Sequence, residues 1–456
     1  MWGHVGSVKW SSRISRGVNR QLRRAGAFAA VATLGLAAPV LGAAVALVFV
    51  AIGLAAAFLI DDGPVFELFA RPGDWRDGRL NGLAGFAFAA AALALLLGLP
   101  HAPLPTDIFV ASLGIVGFGN LGAQAVRVRS DEPFLVVTGF VTSGFLAAVL
   151  AQYAVLWLEA TPIEWSVLLV VAIVGALVAA LLRELLYERD DPLVVLSVGL
   201  VIWFFVELVI TVGPAELIAA FVVTVALGAL SYALGTASVS GMLTGVLAGV
   251  LTIVLGGFGW FAVLIAFFSI GALSSKFRYD DKHRRGVAED NDGARGIGNV
   301  LANAAVALLA VLGFAAADQV PELASLSVVF LFAFSGSLAT ALGDTLSSEI
   351  GSLYDNPRLV TTLEPVPPGT DGAVTWQGEL AGLVGVSLIG LLAAGVLPLG
   401  GALAAGVVAV GGLVGITVDS LLGATIEGNR LGNQAVNFLA TLSGALVSVA
   451  LALVVL

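Results

Sequence analysis

Apolar residues occur along this chain in runs of about 20, separated by short polar segments. A helix of that length spans the roughly 30 Å hydrocarbon core of a bilayer. The pattern predicts fifteen such segments, which are 25–38, 40–60, 82–99, 107–127, 134–158, 166–187, 192–213, 215–233, 239–256, 258–275, 295–316, 323–343, 377–397, 400–424 and 432–456. We therefore expect an all-α, polytopic helical membrane protein with about fifteen transmembrane helices.

The stretch Ala25–Ile60 is the ambiguous part of this count. At 1.5 Å per residue it measures roughly 50 Å, which is too long for one upright helix. Pro39 lies near its middle, and a proline inside a helix breaks or kinks it. The sequence therefore predicts two spans here.

The positions of the basic residues support the count of fifteen. Loops that face the cytoplasm carry an excess of Lys and Arg. With fifteen spans and the N-terminus inside, the basic clusters all fall at cytoplasmic positions, and they are Lys9–Arg24, Arg71–Arg79, Arg127 with Arg129, Arg183 with Arg189, Lys276–Arg295, Arg358 and Arg430. The turns on the other side hold acids, namely Asp107, Glu159, Glu164, Asp318 and Glu322. We expect a multi-pass protein of the cell membrane with a cytoplasmic N-terminus.

Composition restricts the classes of function. The 456 residues are 59% hydrophobic and only 11% charged, whereas a soluble globular domain is about 25% charged. Cysteine is absent and only three histidines are present, which excludes disulfides and thiol nucleophiles and disfavours a His-rich metal site. The formal net charge of -10 argues against nucleic-acid binding, which needs a basic surface.

Two segments indicate an internal repeat. Gly119–Thr138 and Gly343–Thr362 are identical at six of 20 positions without a gap, and the segments that follow them also align. We expect two parallel seven-span repeats, which are an N-terminal half over 1–214 and a C-terminal half over 235–456, joined by a linker span over 215–234.

The two predicted halves differ in their acidic residues. Aligned positions exchange Asp344 for Asn120 and Glu349 for Ala125. The N-terminal half therefore has the pattern of a degenerate repeat that keeps the scaffold, and the C-terminal half carries the candidate chemistry. Polar residues inside or beside membrane spans are costly and usually functional.

Three polar groups of the C-terminal half supply the candidate site residues. The first contains Lys276, Arg295, Asn299 and Asn303, of which the last three are spaced i, i+4, i+8 and are predicted to share a helix face. The second contains Asp344, Glu349, Thr362, Gly369, Thr370 and Gly372. The third contains Asp419, Asn433 and Asn437. All three groups are predicted to meet at the cytoplasmic face.

These residue types suit phosphoryl transfer. Mg²⁺ prefers oxygen ligands and shares them with phosphates, so Asp344, Glu349 and Asp419 are the predicted metal ligands, and these three with Arg295 are the predicted catalytic residues. Basic side chains neutralise phosphate charge, and a glycine-rich turn can offer backbone N–H groups to phosphate oxygens. The predicted cofactor-binding residues are Lys276, Asn299, Asn303, Thr362, Gly369, Thr370, Gly372, Asn433 and Asn437.

Each group also has a purely structural interpretation. Asp344 and Asp419 could be solvated helix caps at the membrane interface, the four asparagines could be interhelical hydrogen-bond partners, and Lys276 could serve only to orient the chain. The chain has no Walker A sequence and no kinase H-R-D or D-F-G motif, which excludes a P-loop enzyme and a protein kinase.

The polar strings resemble the DUF92 family of integral membrane proteins, which includes the TMEM19 proteins and the plant phytyl-phosphate kinase of tocopherol synthesis. The matching strings are SSK at 274–276, GARGIGNVLAN at 293–303, GDTLSSEIG at 343–351, RLVTTLEPVPPGTDGAVT at 358–375, and DSLLGAT with NQAVN within 419–437. The resemblance covers about residues 235–456. It implies a membrane-embedded isoprenoid-phosphate kinase that transfers a phosphoryl group from CTP or ATP to a prenyl monophosphate.

Three other functions stay open at this point. A CTP-dependent lipid nucleotidyltransferase would need the same metal and phosphate groups but would release pyrophosphate. A transporter is favoured in general by internal repeats, although its polar residues would be expected at the membrane midplane. The last is a non-catalytic membrane scaffold. The prenyl length and the oligomeric state stay open as well.

Overall fold

The computed structural model describes residues 20–186, 191–208, 212–288, 294–428 and 430–455. In this part of the chain, twelve helices are long and apolar enough to cross a membrane. The expectation of a polytopic helical membrane protein is therefore confirmed. Five residues or segments of the predicted clusters lie outside the described residues, and these are the basic segment before Arg20, Arg189, Asp292, Gly293 and Asn429.

The chain divides into two compact units, Met1–Leu217 and Ile218–Leu456. The described helices of the first unit are α1 (Arg20–Phe58), α2 (Gly63–Phe69), α3 (Asp74–Asp77), α4 (Asn81–Leu96), α5 (Thr106–Arg127), α6 (Pro133–Leu158), α7 (Trp165–Leu185) and α8 (Asp191–Glu207). Helix α5 is the most buried of its long helices and packs against α6, α7 and α8. The core of this unit is therefore built around α5.

Helix α1 covers the stretch for which two spans are predicted. The structure has one helical segment, Arg20–Phe58, which two short 3-10 turns interrupt. The backbone breaks at Gly42, which has a φ of 54°, and not at Pro39. Pro39 lies in the first turn of a four-residue helix, where its missing N–H leaves no helix hydrogen bond unmade. The count of fifteen spans, and the orientation that rests on it, stay predictions.

Two other predicted spans are short in the structure. The segments predicted at 82–99 and 192–213 correspond to α4 and α8, which are 16 and 17 residues long. A vertical span needs about 20 residues. Within the described residues, α4 is therefore just below and α8 at the lower limit of the roughly 17 to 25 residues that span a hydrocarbon core.

The second unit is organised around one central helix. After α9 (Pro214–Ala233), which begins at the end of the first unit, its helices are α10 (Val239–Gly256), α11 (Phe258–Lys276), α12 (Tyr279–Arg285), α13 (Ile297–Gln319), α14 (Ser327–Gly351), α15 (Trp376–Val396), α16 (Ala402–Thr425) and α17 (Asn433–Val455). Helix α14 packs against α11, α13, α15, α16 and α17. Its buried Phe332 and Phe334 join Trp260 and Phe267 of α11 in the core.

Glycines let α14 and α15 cross closely near the polar end of α14. A Cβ atom added to Gly343 would lie 3.2 Å from the carbonyl oxygen of Gly382, and one added to Gly385 would lie 3.0 Å from the Cα atom of Gly343. Helices in a bilayer associate through such close packing of small residues. Asp344 follows directly after this crossing, so its backbone position is set by the contact of the two helices.

Candidate functional site

A polar cavity of about 390 Å³ lies at one end of the helices of the second unit. Its wall combines the starts of α13 and α17, the ends of α14 and α16, and the loop between α14 and α15. Eleven of the predicted site residues line it, and they are Arg295, Asn299, Asn303, Asp344, Glu349, Gly369, Thr370, Gly372, Asp419, Asn433 and Asn437. The fold thus brings together polar groups that are more than 140 positions apart in the sequence.

Two predicted residues do not line this cavity. The Nζ atom of Lys276 lies 5.7 Å from the ring centroid of Tyr279, at the end of α11. Thr362 is exposed, and its hydroxyl accepts a hydrogen bond from the backbone N–H of Glu364 at 3.3 Å. Both residues therefore lie outside the lining of the cavity, and their roles in cofactor binding stay predictions.

Asp344 and Asp419 meet across the cavity wall, from α14 and α16. Their carboxyl groups are close enough to share a hydrogen bond. The Oδ1 atom of Asp419 is buried and has no hydrogen-bond partner. Two carboxylates at this separation repel each other when both are ionised, so the pair favours a shared proton or a bound cation. Oxygen pairs of this kind suit Mg²⁺.

Glu349 is engaged in an ion pair that the sequence did not predict. Its Oε2 atom lies 2.5 Å from the Nζ atom of Lys282, and the two side chains are 7% and 1% exposed. Lys282 also donates hydrogen bonds to the carbonyl oxygens of Ser274 and Ser275, at 3.1 and 2.7 Å. Because those carbonyls end α11, this lysine ties α11 and α12 to α14.

The predicted metal site with three carboxylates differs from the structure. Among the described residues, no group of three or more His, Cys, Asp or Glu side chains could hold one metal ion. Glu349 has its Oε2 atom on Lys282, which leaves Asp344 and Asp419 as the candidate ligands. The remaining ligands of a cation bound there would come from water and substrate oxygens, as is usual for Mg²⁺.

Arg295 is positioned by the backbone rather than by a helix face. Helix α13 begins at Ile297, so Arg295 precedes it and does not share its face with the two asparagines as predicted. The N–H of Arg295 donates to the carbonyl of Thr236 at 3.0 Å, and its carbonyl accepts from the N–H of Ser238 at 3.1 Å. These two bonds anchor the residue to the segment that leads into α10.

The guanidinium of Arg295 passes over a glycine of α11. A Cβ atom added to Gly271 would lie 2.9 Å from the Nη1 atom of Arg295. The guanidinium carbon lies 5.7 Å from the ring centroid of Phe267, a cation–π contact on the same helix. The absence of a side chain at Gly271 therefore leaves room for the guanidinium of Arg295. The sequence analysis did not identify Gly271 as a site residue.

The asparagines of α13 have different surroundings. The Nδ2 atom of Asn303 donates a hydrogen bond to the backbone carbonyl of Asn299 at 2.9 Å. The Oδ1 atom of Asn299 is buried without a hydrogen-bond partner. Since buried polar atoms are normally satisfied, Asn299 is the better candidate for contact with a ligand or an ordered water in the cavity.

The turn at Pro368–Gly372 is held against α16. Strand β1 (Arg358–Leu359) pairs antiparallel with β2 (Ala373–Val374), which brings the turn back to the cavity. Gly372 has a φ of 71°, and a Cβ atom there would lie 2.3 Å from the backbone nitrogen of Ala424. Only glycine fits this position, so the turn and the end of α16 form one continuous wall.

Two further acids line the cavity, Asp371 and Glu427. Burial, together with the nearby charges of Asp371 and Asp419, raises the pKa of Glu427 to about 6. Five acidic side chains and one arginine are found among the described residues that line this cavity. Because Lys282 neutralises Glu349, four acids face one arginine, and the lining carries more acidic than basic groups before any cation binds.

The first unit contains a much smaller cavity of opposite character. It is about 20 Å³ in volume, and its lining includes Arg24, Arg71, Asn120, Gln124 and Arg183. None of the described residues that line it is acidic. Asn120, which was aligned with Asp344, is thus surrounded by arginine and amide side chains.

The family model of the integral membrane protein family DUF92 matches residues 222–445. An uncharacterized membrane protein of Methanocaldococcus jannaschii is 37% identical over 199 residues, which are 42% of this chain and 76% of that protein. The chain belongs to the DUF92 family. The family match includes every residue that lines the polar cavity.

Two further relatives of this DUF92 protein come from Synechocystis and Arabidopsis thaliana. An uncharacterized membrane protein of Synechocystis is 32% identical over 204 residues, which are 43% of this chain and 76% of that protein. The chloroplastic protein VTE6 of Arabidopsis thaliana is 37% identical over 148 residues, which are 32% of this chain and 44% of VTE6. No solved structure matches the chain significantly.

Proposed function

We propose that this DUF92 protein is a prenyl-phosphate kinase-like enzyme of the membrane. It would transfer the terminal phosphoryl group of a nucleoside triphosphate to an isoprenyl monophosphate and release the nucleoside diphosphate. The observation that carries the proposal is the polar cavity, in which the Asp344–Asp419 pair and Arg295 line one space at the end of apolar helices. The family resemblance points to the same reaction class.

The acceptor explains why the cavity needs no general base. A phosphate monoester has a second pKa of about 6, so its oxygens are largely ionised at neutral pH. One of them attacks the terminal phosphorus of the nucleotide, and the bond from that phosphorus to the bridging oxygen breaks. Positioning and charge neutralisation supply most of the catalysis of such a transfer. A cavity without histidine is sufficient for this reaction.

The charge of the cavity supports a requirement for Mg²⁺. Lys282 neutralises Glu349, but the other four acids of the lining would repel two phosphate-bearing substrates, and one arginine does not balance them. Asp344 and Asp419 would hold the divalent cation, which would neutralise phosphate oxygens. Arg295 would bind the lipid phosphate from the side of α11, and Asn299 would contact a phosphate or a metal-bound water through its buried amide.

An assay with labelled nucleotides tests this proposal. The purified full-length protein is incubated with phytyl or geranylgeranyl monophosphate, Mg²⁺, and ATP or CTP labelled in the α- or the γ-phosphate. Transfer of γ-label to the lipid, abolished by a chelator, is the expected result. Transfer of α-label would instead identify a lipid nucleotidyltransferase, and the absence of turnover with every prenyl phosphate would refute both activities.

A further inference from the structure

A second cavity in the same unit has an apolar lining. It is about 80 Å³ in volume and lies between α9, α10 and α11. We call this space the apolar groove, and its main side chains are Leu227, Met242, Phe261, Ile265 and Phe268. It is distinct in character from the polar cavity, whose lining is dominated by carboxylates, amides and hydroxyls.

The hydroxyl groups in the apolar groove are satisfied by their neighbours. The side chains of Ser231 and Thr236 share a hydrogen bond of 2.7 Å, and Thr224 donates to the carbonyl oxygen of Ala220 at 2.9 Å. Their polar atoms are therefore occupied within the protein. The surface that the groove presents is close to a hydrocarbon surface, which favours an apolar occupant.

The apolar groove and the polar cavity share one residue, Arg295. This arginine lines both spaces and is only 5% exposed. A buried guanidinium at the boundary of an apolar and a polar space is the arrangement that fits an amphiphile with an anionic head. The head would lie in the polar cavity, and the hydrocarbon would extend away from it.

We propose that the apolar groove binds the hydrocarbon tail of the lipid phosphate and that Arg295 marks the position of its phosphate. This inference rests on the proposed function and names the tail site of its acceptor substrate. Helix α9 forms the outer side of the groove and is mostly exposed, with Val222 and Leu230 among its exposed residues. A tail can therefore enter sideways from the bilayer.

The length of the groove limits the tail that it accepts. Its lining on α11 runs from Ala272, beside Gly271, to Phe261. These residues are eleven positions apart, which is about 16 Å along a helix. Phe261 packs against Ala220 and Ile253 and closes the far end. The lining of the groove thus extends over about 16 Å and ends at an aromatic ring.

Gly245 of α10 offers a direct way to block the groove. It lines the groove, and a Cβ atom added there meets no atom within 4 Å. A phenylalanine at this position would fill the groove without a clash with the backbone. Gly406 of α16 is the matched control, because it is also helical, meets no atom within 4 Å, and lies outside the groove.

The test is equilibrium binding of dimethylallyl, farnesyl and geranylgeranyl monophosphate to the purified full-length protein without nucleotide. The unchanged protein and Gly406→Phe should bind the longest lipid most tightly. Gly245→Phe should bind geranylgeranyl monophosphate at least about tenfold more weakly, with dimethylallyl monophosphate unchanged. Equal chain-length dependence in Gly245→Phe and Gly406→Phe would overturn the proposal.

Two further measurements keep the outcomes separate. If Gly245→Phe does not fold, the unchanged protein is crosslinked with a geranylgeranyl phosphate that carries a photoreactive tail. The tail should crosslink to α9, α10 or α11. Crosslinks confined to other helices would refute binding of the tail in the apolar groove. Phosphoryl transfer is measured on the same samples. Length-dependent binding without turnover would refute the kinase and support the groove, whereas turnover insensitive to tail length would refute the groove and support the kinase.

Discussion

At the scale of single residues, the partner of a carboxylate decides its role. Asp344 and Glu349 lie five positions apart at the same end of α14. Asp344 meets the carboxyl group of Asp419, whereas Glu349 is neutralised by Lys282. The Asp344–Asp419 pair concentrates negative charge and suits a cation. The Lys282–Glu349 pair is neutral overall and links α12 to α14.

The asymmetry between the two units can be tested by paired substitutions. Asp344→Asn removes one charge of the proposed metal pair and should lower phosphoryl transfer by at least about 100-fold, because the charge of bound phosphates is then poorly neutralised. Asn120→Ala, at the aligned position of the first unit, should leave the rate within about twofold. The measurement is the initial rate with labelled nucleotide, and an equal loss in both variants would contradict the degenerate-repeat interpretation.

The raised pKa of Glu427 predicts a pH-dependent stability. Its pKa in the folded protein is about 6, against an ordinary value of 4.5. The neutral form is therefore favoured by folding, and the associated stability is present below pH 4.5 and lost as the pH rises through about 6. In the presence of a chelator, Glu427→Gln should raise the melting temperature above pH 6 and leave it unchanged near pH 4.5. A stabilisation that is independent of pH would contradict this account.

At the scale of elements, the sequence predicted which residues share a helix face, but it did not predict contacts between residues that are far apart in the chain. The polar positions of α13, α14 and α17 were predictable because the spacing along a helix sets its face. Lys282 and Glu349 are 67 positions apart, and no local pattern relates them. The position of Arg295 depends on backbone bonds to the segment before α10, which a helical pattern does not contain.

The ion pair between α12 and α14 should be a major source of stability in the second unit. Lys282→Met leaves the carboxylate of Glu349 buried and uncompensated, which costs about 3 to 5 kcal/mol of unfolding free energy. The double variant Lys282→Met with Glu349→Gln should recover much of that loss, because no buried charge remains. Thermal or denaturant unfolding of the purified protein measures both, and a double variant as unstable as the single one would refute the explanation.

At the scale of the whole molecule, the two units differ in charge more than in secondary structure. Both are built from apolar helices, but the described cavity of the first unit is lined by arginines and that of the second by acids. The family match covers only residues 222–445. The fold class could be predicted from the sequence, and eleven of the thirteen predicted site residues line the cavity. The break of α1 at Gly42 could not be predicted, because Pro39 gave the stronger local signal.

The orientation of the second unit can be measured because the chain has no cysteine. Glu322 precedes α14 and Asp355 follows it, and α14 has 25 residues, or about 37 Å. If the polar cavity faces the cytoplasm, a membrane-impermeant maleimide should label Glu322→Cys in intact cells and Asp355→Cys only after permeabilisation. The reverse pattern would place the cavity outside, where a nucleotide-dependent enzyme has no substrate supply.

The buried bond between Lys282 and Glu349 also constrains how the protein is made. During synthesis Lys282 emerges 67 residues before its partner, and the whole of α13 and almost all of α14 are produced in between. Until the last turn of α14 arrives, the ammonium group of Lys282 has only water and the carbonyls at the end of α11 to contact. This bond therefore forms late, when one carboxylate near the end of α14 reaches a lysine that was synthesised two helices earlier, and the polar cavity is complete only after α16 and α17 have followed.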